Sequence, residues 1–163
     1  MASTARTLNE LLFGALDRFA GMPVAMRAKR EGVWVELSWS DLAERIQDLS
    51  LGLLELGIVP GDRVAILSEN RPEWAIADYA CLAACCTDVP IYPTLPARQV
   101  EHNLADSGSV AVFVSNQHQL EKVLAVRSRL PALRHIIAFE QGAVRPGVLS
   151  LDQVCAMGRS ARL

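Results

Sequence analysis

The alternation of apolar and polar positions changes character near residue 63. Before it, apolar residues recur at helical spacing. Leu8, Leu11, Leu12, Ala15, Leu16 and Phe19 predict a helix over 8–20, opened by a Thr7-x-x-Glu10 capping box and stopped by Gly21 and Pro23. A second helix carries Leu42, Ile46, Leu49, Leu53 and Leu56, with Ser40 as its expected N-cap and Gly57 as its stop. Between them, short apolar runs at 24–28 and 33–37 flank Arg30-Glu31-Gly32 and predict a hairpin. Val59-Pro60-Gly61-Asp62 then fits a type II turn, with proline at its second position and glycine at its third.

From Arg63 onward short apolar runs alternate with helical patterns. Strands are expected at 64–67, 89–92, 110–114 and 135–139, separated by helices over 72–86, 96–106 and 117–129. Continuous apolar strands between helices imply a parallel sheet covered on both faces and joined by right-handed crossovers. The helix holding Trp74, Ile76, Ala77, Tyr79, Ala80 and Leu82 is apolar nearly all round, which predicts a central position. Gln99, Glu101, His102, Gln119, Glu121, Lys122 and Arg127 give the later helices polar faces and place them in an outer layer. Residues 141–147 read as a loop, and 149–157 begin one more helix. The expected fold class is α/β: a Rossmann-like, largely parallel sheet with helices on both faces, preceded by an N-terminal helix and a short β-hairpin. Residues 1–163 read as a single domain, with 1–6 and 159–163 flexible.

Composition narrows the function classes. An apolar content of 51% with 21% charged residues is that of a globular chain with a core. Sixteen basic and eighteen acidic residues, a net charge of -2 and no block of like charge argue against a nucleic-acid partner. The longest apolar stretch, 74–86, is broken by Asp78 and falls short of the roughly 18–20 residues of a membrane span, so no transmembrane segment is expected. The N-terminus has no continuous apolar core followed by a cleavage site of small residues. Cys81, Cys85, Cys86 and Cys155 form no C-x-x-C pair and have no histidine at ligand spacing. All four are read as packing residues in a reduced, cytoplasmic compartment, with peripheral membrane contact left open.

Holding a triphosphate calls for closely spaced glycines, because backbone N–H groups must approach the phosphate oxygens unobstructed. The ten glycines here are scattered, and neither G-x-x-x-x-G-K-[ST] nor G-x-G-x-x-G occurs. No catalytic, cofactor-binding or metal residue is assigned. The substrate-side candidates are Asn70, Arg71 and Tyr92, at the exits of two expected strands. Each has a structural alternative. Ser68 or Asn70 would cap the next helix, Pro72 would preset its first turn, and Arg71 would be solvated beside Glu69 and Glu73; Tyr92 would be a buried ring with its hydroxyl paired, and Thr94 would cap the helix from Pro96. His102, His118 and His135 fall in no catalytic signature, although His102 and Asp106 share a helix face.

The run GDRVAILSENRPEWAIADYACLAACCTDVPIYPT, preceded by LSWSDLAERIQDLSLGLLELGIVP and followed by LADSGSVAVFVSN and LPALRHIIAFE, resembles the N-terminal part of long-chain fatty acid CoA ligases. These are AMP-forming acyl-CoA synthetases of the adenylate-forming superfamily, and the resemblance extends over residues 7–158. SENRPEW together with VPIYPT favours the long-chain subgroup. The resemblance implies a partial N-terminal domain of the adenylate-forming fold. For the full-length enzyme it implies ATP, magnesium and coenzyme A as cofactors and a fatty acid as substrate. The family's Ser/Thr/Gly-rich phosphate loop and later motifs have no counterpart in these residues, so no family catalytic residue is carried over. One departure is Cys85-Cys86-Thr87-Asp88, where the family usually has small residues before the VP strand. The leading expectation is an N-terminal fragment of such a ligase, a scaffold partnered by the remainder of the synthetase and inactive by itself. The alternative is a non-catalytic binding or oligomerisation module derived from that fold, acting through self-association.

Overall fold

The computed structural model describes residues 5–30 and 32–162. Residues 1–4, Glu31 of the expected turn and Leu163 lie outside the described residues. Helix α1 (Leu8–Phe19) starts as its sequence predicts, with the Thr7 hydroxyl accepting from Glu10 N at 3.1 Å. The Glu10 carboxylate reaches one residue further back than a capping box requires and accepts from Arg6 N. Strands β1 (Met26–Arg30) and β2 (Val33–Leu37) form the antiparallel hairpin, turned by Gly32 at φ 85°. Its tip remains exposed at Val33 and Trp34.

Helix α2 (Trp39–Glu55) is capped by Ser38, not Ser40. An N-cap needs an extended backbone and an oxygen facing the N–H three residues on. Ser38 meets both conditions, accepting from Asp41 N at 3.0 Å, while Ser40 lies inside the helix and its hydroxyl pairs with that of Ser38. Gly57 at φ 74° ends the helix region, and Gly61 at φ 89° with Asp62 N donating to Val59 O at 3.0 Å makes the expected tight turn.

The remainder alternates: β3 (Arg63–Leu67), α3 (Pro72–Ala83), β4 (Thr87–Ile91), α4 (Ala97–Ser107), β5 (Ala111–Val114), α5 (Gln117–Val126), β6 (His135–Ala138), β7 (Leu149–Ser150) and α6 (Leu151–Ala161). The sheet of described residues has five strands in the order β4-β3-β5-β6-β7, with every pairing parallel. Strand β7 departs from the sequence reading. It is two residues long, too short to show a period, and its Ser150 is also the N-cap of α6, with a complete capping box to Gln153.

Alternate residues of each strand feed opposite layers. Val64, Ile66, Ala111, Phe113 and Ile137 pack with α1, α2, α3 and α6, while Ala65, Leu67, Val112, Val114, Ile136 and Ala138 pack with α4 and α5. Helix α3 is in contact with α1, α2, β1 and the sheet, as an all-round apolar helix requires. It ends earlier than its apolar run because Cys85 adopts φ 56° and Cys86 N donates back to Cys81 O at 2.8 Å. Cys85 therefore occupies a position glycine would favour and is exposed; it is not a packing residue, whereas Cys81 and Cys86 are buried. Pro96, not Thr94, is the N-cap of α4, and no side chain caps that helix.

The C-terminal residues expected to be flexible are helical through Ala161. Gly52 of α2 and Gly158 of α6 bring the two backbones together: a Cβ on Gly158 would stand 1.9 Å from Asp48 O. Beside that contact Arg159 donates to Asp48 Oδ2 through Nε and Nη2 at 3.0 and 2.8 Å, so the chain end is fastened to a carboxylate that is 1% exposed. Among the described residues no helix is long and apolar enough to cross a membrane.

Candidate functional site

Adjacent strands β3 and β5 send the chain in opposite directions. From β3 it leaves through α3 to β4, and from β5 through α5 to β6, on the other side. Open parallel sheets take their ligands at the carboxyl ends of strands where the connections diverge, because no crossover covers the crevice there. The residues at this point are Ser68, Glu69, Asn70 and Arg71 from the β3 exit and Ser115 and Asn116 from the β5 exit.

Asn116 caps α5 by accepting from Gln119 N at 3.1 Å, which turns the Gln119 side chain back toward the crevice. Its Nε2 donates to Glu69 Oε1 at 2.9 Å and to Pro93 O at 3.2 Å, while Lys122 Nζ donates to the same Pro93 carbonyl at 2.6 Å. One helix thus ties together the exits of β3 and β4. Gln119 is 2% exposed, so it does not belong to the polar outer face where the sequence reading puts it. Its Oε1 is buried without a hydrogen-bond partner among the described residues. Burial raises the pKa of Glu69. The nearby Ser115 hydroxyl, the residue's own backbone N–H, the Gln119 amide and Arg71 outweigh that and hold its carboxyl below the usual range.

Replacing Gln119 with alanine removes the donor that joins two strand exits. Gln119→Ala is expected to lower stability by about 1–2 kcal/mol, since a net side-chain hydrogen bond is worth about 1 kcal/mol and Lys122 continues to serve Pro93. The midpoint of urea unfolding measures it.

On the other side of the β3 exit lies an ionic network. Arg71 Nε donates to Glu73 Oε2 at 2.9 Å, and its Nη1 donates to Glu140 Oε1 at 2.9 Å and to Ser115 O at 3.4 Å. The guanidinium also lies 5.8 Å from the centre of the Phe139 ring. Glu73 is buried and receives Arg30 from the hairpin on its second oxygen. Burial raises Glu73, but Arg71, a backbone N–H and Arg30 overcome it and keep the carboxylate ionised below its usual range. An open cleft of about 490 Å³ runs between this network and the hairpin, and a neighbouring one of about 600 Å³ includes Asn70, Arg71 and Trp34.

The three sequence candidates meet different fates. Asn70 is exposed and, with Arg71, lines the cleft of about 600 Å³. Arg71 is the N-cap residue of α3 with Pro72 in the first turn; neither Ser68 nor Asn70 caps that helix. Ser68 instead donates to Glu69 O at 2.8 Å. Arg71 is also not a solvated charge, its side chain being 21% exposed and doubly paired. Tyr92 is 78% exposed rather than a buried ring, and it stands apart from both clefts. Glu69 belongs to the Ser68-Glu69-Asn70-Arg71 stretch that the sequence marks at the first strand exit, whereas Ser115, Gln119 and Lys122 go unrecognised there as site residues. A signal for Gln119 exists: it shares the stripe of Leu120, Val123 and Val126, all of them buried.

ATP and magnesium, which the resemblance implies, find no matching donor set here. Among the described residues no group of three His, Cys, Asp or Glu could hold a metal ion. The glycines do not cluster into a phosphate cradle. His102 and His118 are exposed, and burial with the adjacent Arg134 pushes His135 down.

The family described as AMP-binding enzyme matches residues 16–156. The long-chain-fatty-acid–CoA ligase FadD15 of Mycobacterium bovis is 37% identical over 130 residues, which is 80% of this chain and 21% of that protein. The long-chain-fatty-acid–CoA ligase heimdall of Drosophila melanogaster is 34% identical over 136 residues, 81% of this chain and 20% of that protein. The chain thus spans about a fifth of the length of these curated relatives. Among solved structures, the anthranilate CoA ligase AuaEII in complex with anthranoyl-AMP superposes with a TM-score of 0.83 at 21% identity, over 95% of this chain and 29% of that one. The A-PCP didomain of the carboxylic acid reductase from Segniliparus rugosus gives 0.83 at 18% identity, over 98% and 27%. At these identities the superpositions show the fold alone.

Proposed function

Because this chain belongs to the AMP-binding enzyme family, we propose that it forms the N-terminal scaffold of a long-chain fatty acid CoA ligase. The reaction of the whole enzyme joins a fatty acid to coenzyme A and converts ATP to AMP and pyrophosphate. The observation that carries this reading is the identity to long-chain-fatty-acid–CoA ligases across four-fifths of the chain. The residues present support a positioning role. Gln119 and Lys122 fix the exit of β4, Gln119 also holds Glu69, and Arg71 holds the exits of β5 and β6 through Ser115 O and Glu140. These contacts keep the open end of the sheet in one shape for groups supplied by the rest of the enzyme. ATP, magnesium and coenzyme A are cofactors of that larger protein, whose remainder is the partner of this chain. A reducing cytoplasm suits its four free cysteines.

Fatty-acid-dependent exchange of labelled pyrophosphate into ATP tests the proposal. The longer protein carrying this sequence is expected to show exchange with long-chain acids, and the purified 163-residue chain none above background. Exchange by the chain alone would refute its scaffold role, and a longer protein that adenylates only aryl acids would refute the long-chain assignment.

A further inference from the structure

The two strands of the hairpin differ in chemistry. Strand β1 carries Arg27, Lys29 and Arg30, and Glu73 of α3 holds the last of these. Charges of this kind keep an edge from taking up another strand. Strand β2 reads Val-Trp-Val-Glu-Leu and pairs only with β1 among the described residues. Its Val33, Trp34 and Val35 are 66%, 63% and 48% exposed. Successive side chains of a strand point to opposite faces, so the hairpin is apolar on both sides at the same place. Val35 on one face lines the cleft of about 490 Å³, and Trp34 on the other lines the cleft of about 600 Å³. The first cleft also holds an uncommitted charge. Arg30 and Arg71 are held by Glu73, Glu36 pairs with Arg27 at 2.8 Å, and Asp152 accepts from Gln141 at 2.9 Å. Arg45 of α2 lines the same cleft, is exposed, and its guanidinium has no ion pair or hydrogen bond with another described residue.

We propose that β2 is a docking edge for an extended segment from the remainder of the enzyme, which adds beside β2 as a third strand, covers Val33, Trp34 and Val35, and sets a carboxylate against Arg45. The inference rests on the reading of this chain as the N-terminal scaffold of a longer ligase.

The chain spans about a fifth of the length of its curated relatives, so most of such a protein is left to supply the segment. A strand is the occupant that fits the geometry. Its side chains alternate between two faces, so it covers Trp34 and the two valines together, while its backbone pairs the free N–H and C=O groups of β2. A lipid surface or a single helix would cover one face and leave the edge unpaired. A two-stranded hairpin is marginal in water, and a third strand supplies the pairing that it lacks. The charge complements as well: with the other cations of the cleft already held, an acidic side chain of the incoming strand is the partner open to Arg45.

Hydroxyl-radical footprinting read by mass spectrometry, with amide exchange alongside, tests the docking edge by comparing the 163-residue chain with the longer protein. In the longer protein Trp34 labelling is expected to fall about fivefold or more and amide protection over residues 33–37 to rise about tenfold or more. Trp39 and Trp74, both packed on the core, serve as internal references. Val33→Lys, which charges the free edge, is expected to return Trp34 labelling in the longer protein to that of the chain alone, and Arg45→Gln to raise it several-fold. Both residues are exposed, so neither variant is expected to move the urea midpoint of the 163-residue chain. Equal labelling of Trp34 in the two proteins, protection in the chain alone that accompanies dimers in sedimentation, protection of the chain by anionic phospholipid vesicles only, or an Arg45→Gln without effect in the longer protein each overturns the proposal. Pyrophosphate exchange by a longer protein whose Trp34 stays exposed keeps the scaffold reading and sinks the docking edge; protection of Trp34 without exchange does the reverse.

Discussion

Gly158→Ala is expected to cost at least about 3 kcal/mol, a large part of the 5–15 kcal/mol that holds a typical domain together. The added methyl group would stand 1.9 Å from Asp48 O and 2.5 Å from Gly52 N. Both are backbone atoms of a helix, so neither can rotate aside, and α6 must move away from α2. That movement uncovers Val154, which is fully buried in the contact, and lengthens the bonds from Arg159 to Asp48. Asp48 would then be a buried carboxylate without its main partner, and its Oδ1 already lacks a hydrogen bond. Gly52→Ala meets the same obstacle from the opposite side, at 2.0 Å from Val154 O. Gly14 is the control: it lies in α1 with nothing within 4 Å of a Cβ, so Gly14→Ala is expected to stabilise by about 0.5–1 kcal/mol. Urea unfolding of the three variants measures these values. A loss below 1 kcal/mol for Gly158→Ala would show that the two helices do not approach as closely as described.

Arg71→Ala is expected to cost about 2–4 kcal/mol, because the arginine serves partners from three parts of the chain at once. Without it Glu73, whose side chain is 8% exposed, keeps Arg30 as its one charged partner among the described residues, and Arg30 is itself more than half exposed. Glu140 and the Ser115 carbonyl lose the same donor. Arg71→Lys should recover only part of the loss, since one ammonium cannot place donors on Glu73 and Glu140 as the planar guanidinium does. The effect depends on pH with a definite sign. Glu73 has a folded pKa below its unfolded value, so its contribution is present above about pH 4.5 and disappears as pH falls through the folded value. Parent and Arg71→Ala should therefore differ most near pH 7 and converge near pH 3. Urea midpoints at the two pH values decide it, and a constant difference would mean that Arg71 acts through packing on Phe139 rather than through its carboxylates.

The parts of the fold legible in the sequence are those with a period or a turn signature. The seam of α2 through Leu42, Ile46, Leu49 and Leu53 is buried, and the turn at Gly61 closes as its proline and glycine indicate. The four apolar runs from Val64 to Ala138 became parallel strands because continuous apolar strands need cover on both faces. What eluded the pattern involves choices between equivalent local partners. Ser38 and Ser40 are both suitable caps by composition, and the backbone leaving β2 selects the first. Arg71 looks like a solvated residue until Glu140, 69 positions away, is folded onto it. Gln119 looks like an outward polar residue until Pro93 and Glu69 arrive as its partners.

The sequence by itself determined the α/β class, the order of elements up to β6 and the family, because each rests on short-range periodicity or on motifs contiguous in the chain. Tertiary structure alone decided that β3 and β5 lie side by side with diverging connections, that Gln119 and Arg71 join separate strand exits, and that Gly52 meets Gly158. The reason is physical. Each of these features is a contact between distant segments, and its energy depends on geometry and burial that no local pattern specifies.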